Sequence, residues 1–127
     1  MVKIKFCGKR TFDGKWTYGW LVIEDNGTAW ISRYYHRGEW EQVDPETVGQ
    51  YTGKNDKNGK EIYEKHRVKV QFEEAYFPSI IGEVIFEDGC WMIKEVDGEY
   101  WSLYSSILGP IEVIHDNPEL LEAAANE

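Results

Sequence analysis

Asp-Gly and Asn-Gly pairs recur along the chain and separate its short apolar segments. They stand at residues 13–14, 26–27, 58–59, 88–89 and 97–98. Tight β-hairpin turns need positive φ at both central residues, and these residue types adopt it most readily. Between the turns, apolar and polar residues alternate, as in residues 2–6 and 15–23, which predicts strands with one buried face. The sequence therefore predicts a mainly β fold.

The composition favours the same fold class. Aromatic residues make up 15% of the 127 residues and suit a pleated surface, and the 42% that are apolar suffice for a core. No apolar run approaches the roughly 18 residues that a membrane-spanning helix needs. The Lys-rich start lacks the apolar segment of a signal peptide. We therefore expect a cytoplasmic protein without a membrane partner.

The pattern along the chain predicts three regions. Residues 1–60 are expected to form an N-terminal β-hairpin region, with a helix of one or two turns that Asp44 caps and a polar surface loop over residues 52–60. Residues 61–116 are expected to form a small SH3-like β-barrel, with strands at 67–72, 80–87, 90–96, 99–108 and 111–115. An OB-type barrel is the alternative, although its helix has no candidate here. Residues 117–127 are expected to form a short C-terminal helix, since Asn117 and Pro118 suit its first positions.

Charge is distributed unevenly along the chain. Residues 1–63 carry ten Lys and Arg against nine Asp and Glu, a net of +1, whereas residues 64–127 carry four against fourteen, a net of −10. A duplex-binding domain concentrates positive charge, and an acidic half repels phosphates. Nucleic acid is therefore an unfavourable partner for the second half. The acidic surface indicates either plain solubility or recruitment of a basic partner.

The cysteines and histidines predict neither a disulfide framework nor a metal site. Cys7 and Cys90 stand alone without the spacing of a zinc knuckle. His36, His66 and His115 lie far apart in the sequence, and none is at ligand spacing from another His or Cys. We expect two buried, reduced thiols, no bound metal and no cofactor.

The motifs of the common enzyme classes have no match in this chain. Sequence-adjacent carboxylates, such as Glu73 and Glu74, rarely provide the two carboxyls about 5–10 Å apart across a cleft that glycosidases need. The serines lack a Gly-x-Ser-x-Gly elbow, and the glycines fit neither a P-loop nor a dinucleotide fingerprint. We therefore expect that the protein is not an enzyme.

Several segments resemble the YopX family of small proteins, found largely in phages and prophages. The resemblance lies in residues 4–10 and 14–19, in residues 43–53 (VDPETVGQYTG), in residues 56–64 and in the ending at 117–121. It implies a β-rich N-terminal region joined to an SH3-type barrel, and no established activity, cofactor or catalytic residue. One departure is Glu64-Lys65-His66, where the family commonly has Glu-Gly-Asp. The lost glycine predicts that any turn needing positive φ there has been rebuilt.

Our first hypothesis is a protein-interaction module with an unidentified protein partner. Its contact residues are predicted to be the exposed acids Glu73, Glu74, Glu87 and Asp88, with Tyr76 and Phe77 as aromatic anchors. Charge steers an encounter, and a buried aromatic anchor supplies most of the affinity. The simpler interpretation is that both aromatics fold back over the end of the barrel.

The alternative hypothesis is a nucleic-acid-binding accessory protein that uses the N-terminal strand. The predicted contacts are Lys3, Lys5, Lys9, Arg10, Trp16 and Tyr18. Aromatic and basic side chains together hold single strands by stacking and by phosphate contact. A separate expectation is a homo-oligomer, because small barrels expose strand edges that can pair.

Overall fold

The computed structural model describes residues 4–34, 38–74, 76–96 and 98–115. These residues form two antiparallel sheets and one 3-10 helix, which confirms the predicted mainly β class. The chain divides into two compact units, residues 1–53 and 54–127. The division into regions 1–60, 61–116 and 117–127 stays a prediction.

The first unit is built on one sheet. Its strands are β1 (Phe6–Lys9), β2 (Trp16–Ile23), β3 (Ala29–Ser32), β4 (Glu41–Val43) and β5 (Gly49–Asn55), with the 3-10 helix η1 at Pro45–Thr47. Their order is β4-β3-β2-β1-β5, and β5 runs past the unit boundary and is followed in the sheet by β6 (Glu61–Tyr63). Ala29, Ile31 and Val43 are fully buried on one face, as alternation along β3 and β4 requires.

Gly19 marks a close approach between β2 and the end of β3. Its φ is 149°, and a Cβ there would lie 2.2 Å from the carbonyl oxygen of Ser32. Only glycine fits, because any side chain would overlap the neighbouring backbone.

The hairpin turns are more varied than the sequence predicts. At the turn after β8 (Ile80–Glu87), Asp88 has φ 52° and Gly89 has φ 78°, so both central residues take positive φ as expected. At residues 24–28, only Gly27 has positive φ, and its N–H donates to the Glu24 carbonyl. The expectation of two positive φ angles there was wrong, because a longer loop with one left-handed glycine closes this hairpin.

The segment after β4 begins with the predicted capped turn. The Asp44 carboxylate accepts a hydrogen bond from the Glu46 N–H, and Pro45 opens η1. Thr47 Oγ1 accepts from the Lys9 N–H at 2.8 Å, which fixes η1 to β1. Within residues 43–53, which carry much of the family resemblance, Asp44 and Thr47 thus have a structural role: they cap η1 and bind it to β1.

The second unit is also built on one sheet. Its strands are β7 (Arg67–Phe72), β8, β9 (Cys90–Glu95), β10 (Tyr100–Ser102) and β11 (Leu108–His115), in the order β10-β9-β8-β7-β11. The core of this unit consists of fully or nearly fully buried aliphatic residues: Ile62, Val68, Val70, Val84, Ile93, Leu103, Leu108 and Ile111. Phe72, Ile80 and Trp101 are partly buried and pack against that core.

Asp56 connects the turn between β5 and β6 to β11. Oδ1 accepts hydrogen bonds from the N–H groups of Asn58 and Lys60, each at 2.9 Å, and Oδ2 accepts one from the Val113 N–H at 3.0 Å. Burial alone would raise the pKa of this carboxyl, but the three N–H donors outweigh it and lower the pKa. The predicted polar loop therefore contains a buried structural carboxylate.

Several predicted elements differ from the observed ones. Within the described residues the first strand is Phe6–Lys9, because residues 6–9 are those that pair with β2, and Ile4 and Lys5 of the predicted strand at 2–6 precede it. β5 extends to Asn55 within the predicted loop 52–60, since strand pairing overrides its polar composition. The predicted strand at 99–108 is not one strand, because it contains the short β10, the turns at residues 103–107 and the first residue of β11.

The five-stranded sheet does not close into a barrel in the residues that the structure describes. β10 and β11 lie at its two edges, and no ladder joins them. The SH3-like barrel expected for residues 61–116 is thus not confirmed as a closed barrel. The predicted C-terminal helix at 117–127 lies outside the described residues.

Candidate functional site

The connection between β7 and β8 begins at Glu73 and brings the predicted anchors to one end of the second sheet. The Glu73 N–H donates to the Ile107 carbonyl at 3.0 Å, and the Phe77 N–H donates to the Glu74 carbonyl at 3.0 Å. The first bond ties the start of the connection to the residue before β11, and the second forms a turn. Glu73, Glu74, Tyr76 and Phe77 therefore lie close together.

The two aromatic anchors differ in how far they fold back. Tyr76 is 76% exposed, whereas Phe77 is 52% exposed and packs edge-on against Phe72, with ring centroids 6.0 Å apart. Phe72 in turn packs edge-on against Trp101 at 5.1 Å. Phe77 thus contacts the margin of the core while keeping half of its surface exposed.

An apolar pocket of about 250 Å³ opens beside this aromatic series. Its lining consists of Phe72, Phe77, Pro78, Ile80, Trp101 and Ile107 and exposes only apolar surface. Three of these residues are the ones that flank the core. The pocket is smaller than the roughly 300–1,000 Å³ typical of small-molecule sites. We name it the loop pocket.

The predicted acidic contacts separate into two groups. Glu73 and Glu74 are exposed beside the loop pocket, whereas Glu87 and Asp88 lie at the other end of the eight-residue β8, about 23 Å along the strand. There they line a second, open pocket of about 440 Å³, together with Cys90, Met92 and Tyr100. The structure therefore does not bring the four acids into one surface.

The alternative set lies in the first unit. The register places Lys9 opposite Trp16 and Cys7 opposite Tyr18, so these side chains share one face of the sheet. Lys5 precedes β1, and Lys3 lies outside the described residues. Trp20, which alternation places on the same side as Trp16, is an exposed aromatic that belongs with this set.

Arg10 makes ion pairs within the first unit. Its guanidinium donates to both carboxylate oxygens of Asp13 and to Glu41, which also accepts from Thr17 Oγ1 at 2.9 Å. The hydrogen bonds from Arg10 lower the pKa of both carboxyls, and the two acceptors raise the pKa of Arg10. The Arg10 guanidinium therefore already binds two carboxylates of its own unit, which disfavours its use as a phosphate contact.

The turn that Arg10 stabilises presents the most exposed large apolar side chain in the described residues. Phe12 is 95% exposed, and it stands between Arg10 and Asp13. The sequence offers no signal for this exposure, since a Phe in a turn is equally compatible with packing onto the sheet. Phe12 therefore serves as a test of whether the first unit also contributes contacts.

The described residues contain no group of three or more His, Cys, Asp or Glu that could hold a metal ion. His66 is buried, and its Nδ1 accepts a hydrogen bond from the Tyr63 N–H at 3.1 Å, which is a structural role. Cys7 is buried as expected, whereas Cys90 is exposed, because it begins β9 at an open turn. The side chains of His36 and His115 lie outside the described part of the structure.

The lining of the loop pocket was not predicted beyond Phe77. Phe72, Trp101 and Ile107 come from separate parts of the chain, and it is the strand pairing of the whole five-stranded sheet that brings them together. Sequence alternation assigns such residues to a core and gives no signal that one side of them stays open.

The fold and this site define a mainly β protein of two antiparallel sheets, with an aromatic surface connection beside an apolar pocket. No helix in the described residues is long and apolar enough to cross a membrane. The chain belongs to the YopX protein family, whose model matches residues 9–122 and so covers most of the chain. This confirms the resemblance seen in the sequence. Comparison with curated proteins and with solved structures gave no match.

Proposed function

We propose that this protein is a non-enzymatic protein-interaction module, encoded by a phage or prophage and acting in the cytoplasm of the bacterial host. The second unit is proposed to be an open variant of an SH3-like barrel. The strand order supports this, because β7 to β10 are consecutive neighbours and β11 returns to pair with β7. Family membership is consistent with the proposal and assigns no activity.

One observation carries the interaction hypothesis. Tyr76 and Phe77 are exposed on a short connection, directly beside an apolar pocket that the margin of the core lines. Exposed aromatics next to a preformed apolar pocket are typical of the anchor region of a protein interface. Isolated exposed apolar residues are common on any surface, whereas this set is contiguous.

A specific observation also favours the nucleic-acid alternative. Trp16, Tyr18 and Trp20 alternate along one strand, which spaces them about 6.6 Å apart on one face, with Lys9 opposite Trp16. Successive bases can stack on such a row of rings. The ion pairs of Arg10 reduce the positive charge that this face offers, so we place the alternative second.

Affinity capture from host-cell extract with matched variants tests the proposal. The wild type, the double variant Tyr76→Ala/Phe77→Ala, the single variant Tyr76→Ala and the control Phe12→Ala are each immobilised and compared. We expect the double variant to lose proteins that the wild type and Phe12→Ala both retain. Thermal unfolding of each variant shows whether a loss reflects unfolding, and Tyr76→Ala is informative because Tyr76 is exposed.

The outcomes separate the two hypotheses. Captured proteins that depend on Phe12 rather than on the Tyr76-Phe77 pair would move the interaction surface to the first unit. Captured nucleic acid that is released steeply as salt rises would favour the alternative, because phosphate contacts depend on counterion release. Capture that no variant changes would overturn the proposal.

A further inference from the structure

The loop pocket has the size and chemistry of a receptor for one side chain. Its volume of about 250 Å³ is below that of a typical cofactor or small-molecule site. Its lining offers no polar group to a ligand, so a charged or strongly polar ligand group would lose its hydration without compensation. The group that enters is therefore apolar.

Three acidic residues, Glu73, Glu74 and Glu95, are hydrogen-bonded to residues that line this pocket. Glu73 follows Phe72 and is tied to Ile107 by its N–H, and the Glu74 carbonyl accepts from the Phe77 N–H. The Glu95 carboxylate accepts the Trp101 indole N–H, with Nε1 and Oε2 2.6 Å apart. Residues 71–81 contain both of these loop acids and no Lys or Arg. The pocket is thus apolar inside, and three acidic residues adjoin the residues that line it.

The charge of the whole unit has the same sign. Residues 54–127 carry seven Lys and Arg against sixteen Asp and Glu, a net of −9, whereas residues 1–53 carry seven of each. A field of this kind attracts a cationic surface and repels phosphates. Four of these sixteen acids, Asp116, Glu119, Glu122 and Glu127, belong to the ending at residues 116–127, which has no Lys or Arg. Residues 54–115 still carry a net of −5, so their field also disfavours the acidic ending of a second copy.

We propose that the loop pocket receives one apolar side chain from an extended, basic segment of a partner protein. The Lys or Arg residues next to that side chain lie near Glu73, Glu74 and Glu95. This inference rests on the proposed function and adds the chemistry of the partner to it. Charge complementarity selects this occupant over a nucleic acid or the tail of a second copy.

Short fluorescent peptides titrated into the full chain test this chemistry. The reference peptide has a central Leu flanked by Lys and Arg, and its counterparts have a central Gly, flanking Ser or flanking Glu. Burial of a Leu side chain predicts about tenfold or greater weakening with the central Gly. Exposed ion pairs predict about fivefold weakening with flanking Ser and a larger loss with flanking Glu.

Paired charge variants locate the effect on the protein. Glu73→Gln/Glu74→Gln should remove most of the preference for the basic peptide. Glu87→Gln/Asp88→Asn, which removes the same charge at the other end of β8, should leave that preference unchanged. Asn tolerates the left-handed conformation of Asp88, so this control keeps its turn. Equal effects of the two pairs would overturn the inference, because the preference would then follow net charge alone.

The inference and the proposed function fail in different ways. Capture that depends on Tyr76 and Phe77, combined with equal binding of basic and acidic peptides, would overturn the inference and keep the proposed function. Peptide binding that is unaffected by Phe77→Ala would show that the side chain does not enter the loop pocket and would also overturn the inference. Single-stranded DNA that binds more tightly than every peptide would favour the nucleic-acid alternative instead.

Discussion

Arg10 pairs with two carboxylates at once and so links the 11–14 turn to β4. The Asp13 carboxylate accepts hydrogen bonds from Nε and Nη2 of Arg10, and the Glu41 carboxylate accepts one from Nη1. Because the hydrogen bonds from Arg10 favour the ionised forms, the pKa of each carboxyl is lowered in the folded protein. The network therefore makes part of the stability depend on pH.

The sign of this dependence follows from linkage. A carboxyl with a lowered folded pKa contributes stability above its unfolded pKa, about 4, and loses it as pH falls through the folded value. We predict that Arg10→Met is less stable than the wild type at pH 7, and that this difference shrinks between about pH 5 and pH 3. Urea unfolding at several pH values measures it, and a difference that stays constant would contradict the assignment.

Lys65 adopts a backbone conformation that favours glycine. Its φ is 77°, and its N–H donates to the Val84 carbonyl at 2.8 Å. The turn with positive φ is therefore kept, and the expectation that it had been rebuilt was wrong. Lys carries a Cβ into the left-handed region, which costs roughly 1–2 kcal/mol relative to Gly.

Replacing Lys65 by Gly should therefore stabilise the protein. We predict that Lys65→Gly raises the free energy of unfolding by about 0.5–1 kcal/mol, the strain relieved less the extra entropy of Gly in the unfolded chain. Chemical denaturation measures the change. Gly89→Ala, at another position of positive φ, is the converse control and should destabilise. A Lys65→Gly variant less stable than the wild type would contradict this explanation.

Among the elements, the turn after β5 depends on one buried carboxylate. Asp56 accepts three backbone N–H groups, one of them from β11. Asp56→Asn replaces one acceptor oxygen by an amide NH2 group, which is a donor. At least one of the three backbone N–H groups then loses its acceptor. We predict a loss of about 2–4 kcal/mol in the free energy of unfolding, as for a charged hydrogen-bond acceptor removed from a buried site. Asp25→Asn, at an exposed turn, is the control, and equal effects of both changes would contradict the role of Asp56.

The elements also show what the sequence can predict. Residues 67–72 and 80–87 were predicted as strands with the observed bounds, because alternation and the Asp88-Gly89 turn act locally. β5 was missed because its polar composition carries no strand signal, whereas in the sheet Gly49 and Gln50 pair with β1 and the strand lies between β1 and β6. Tyr76 and Phe77 were predicted to lie in a loop, either as exposed anchors or folded back over the end of the barrel, and the pocket beside them was not predicted because it depends on strand pairing.

For the whole molecule, the homo-oligomer expected from the sequence stays a prediction. The edge strands β4 and β10 are only three residues long, and short edges limit pairing between copies. Any dimer is therefore expected to use the longer β11 or the apolar surface rather than these edges. Light scattering at micromolar concentration tests this prediction, and a mass equal to the 14.9 kDa monomer would contradict it.

The two hypotheses for the whole molecule place the partner on different units. Tryptophan side chains lie at both proposed surfaces, so their signals can distinguish the two hypotheses. The Trp101 indole N–H lies beside the loop pocket, whereas Trp16 and Trp20 lie in the first unit. Two-dimensional NMR of the labelled full chain, titrated with the Lys- and Arg-flanked Leu peptide, reports the indole signals of all six tryptophans in one spectrum, these three included. We predict that the Trp101 signal and the amides of Glu73 and Phe77 shift, while Trp16 and Trp20 stay unchanged. Shifts confined to Trp16 and Trp20 would contradict the assignment of the loop pocket as the partner-binding surface.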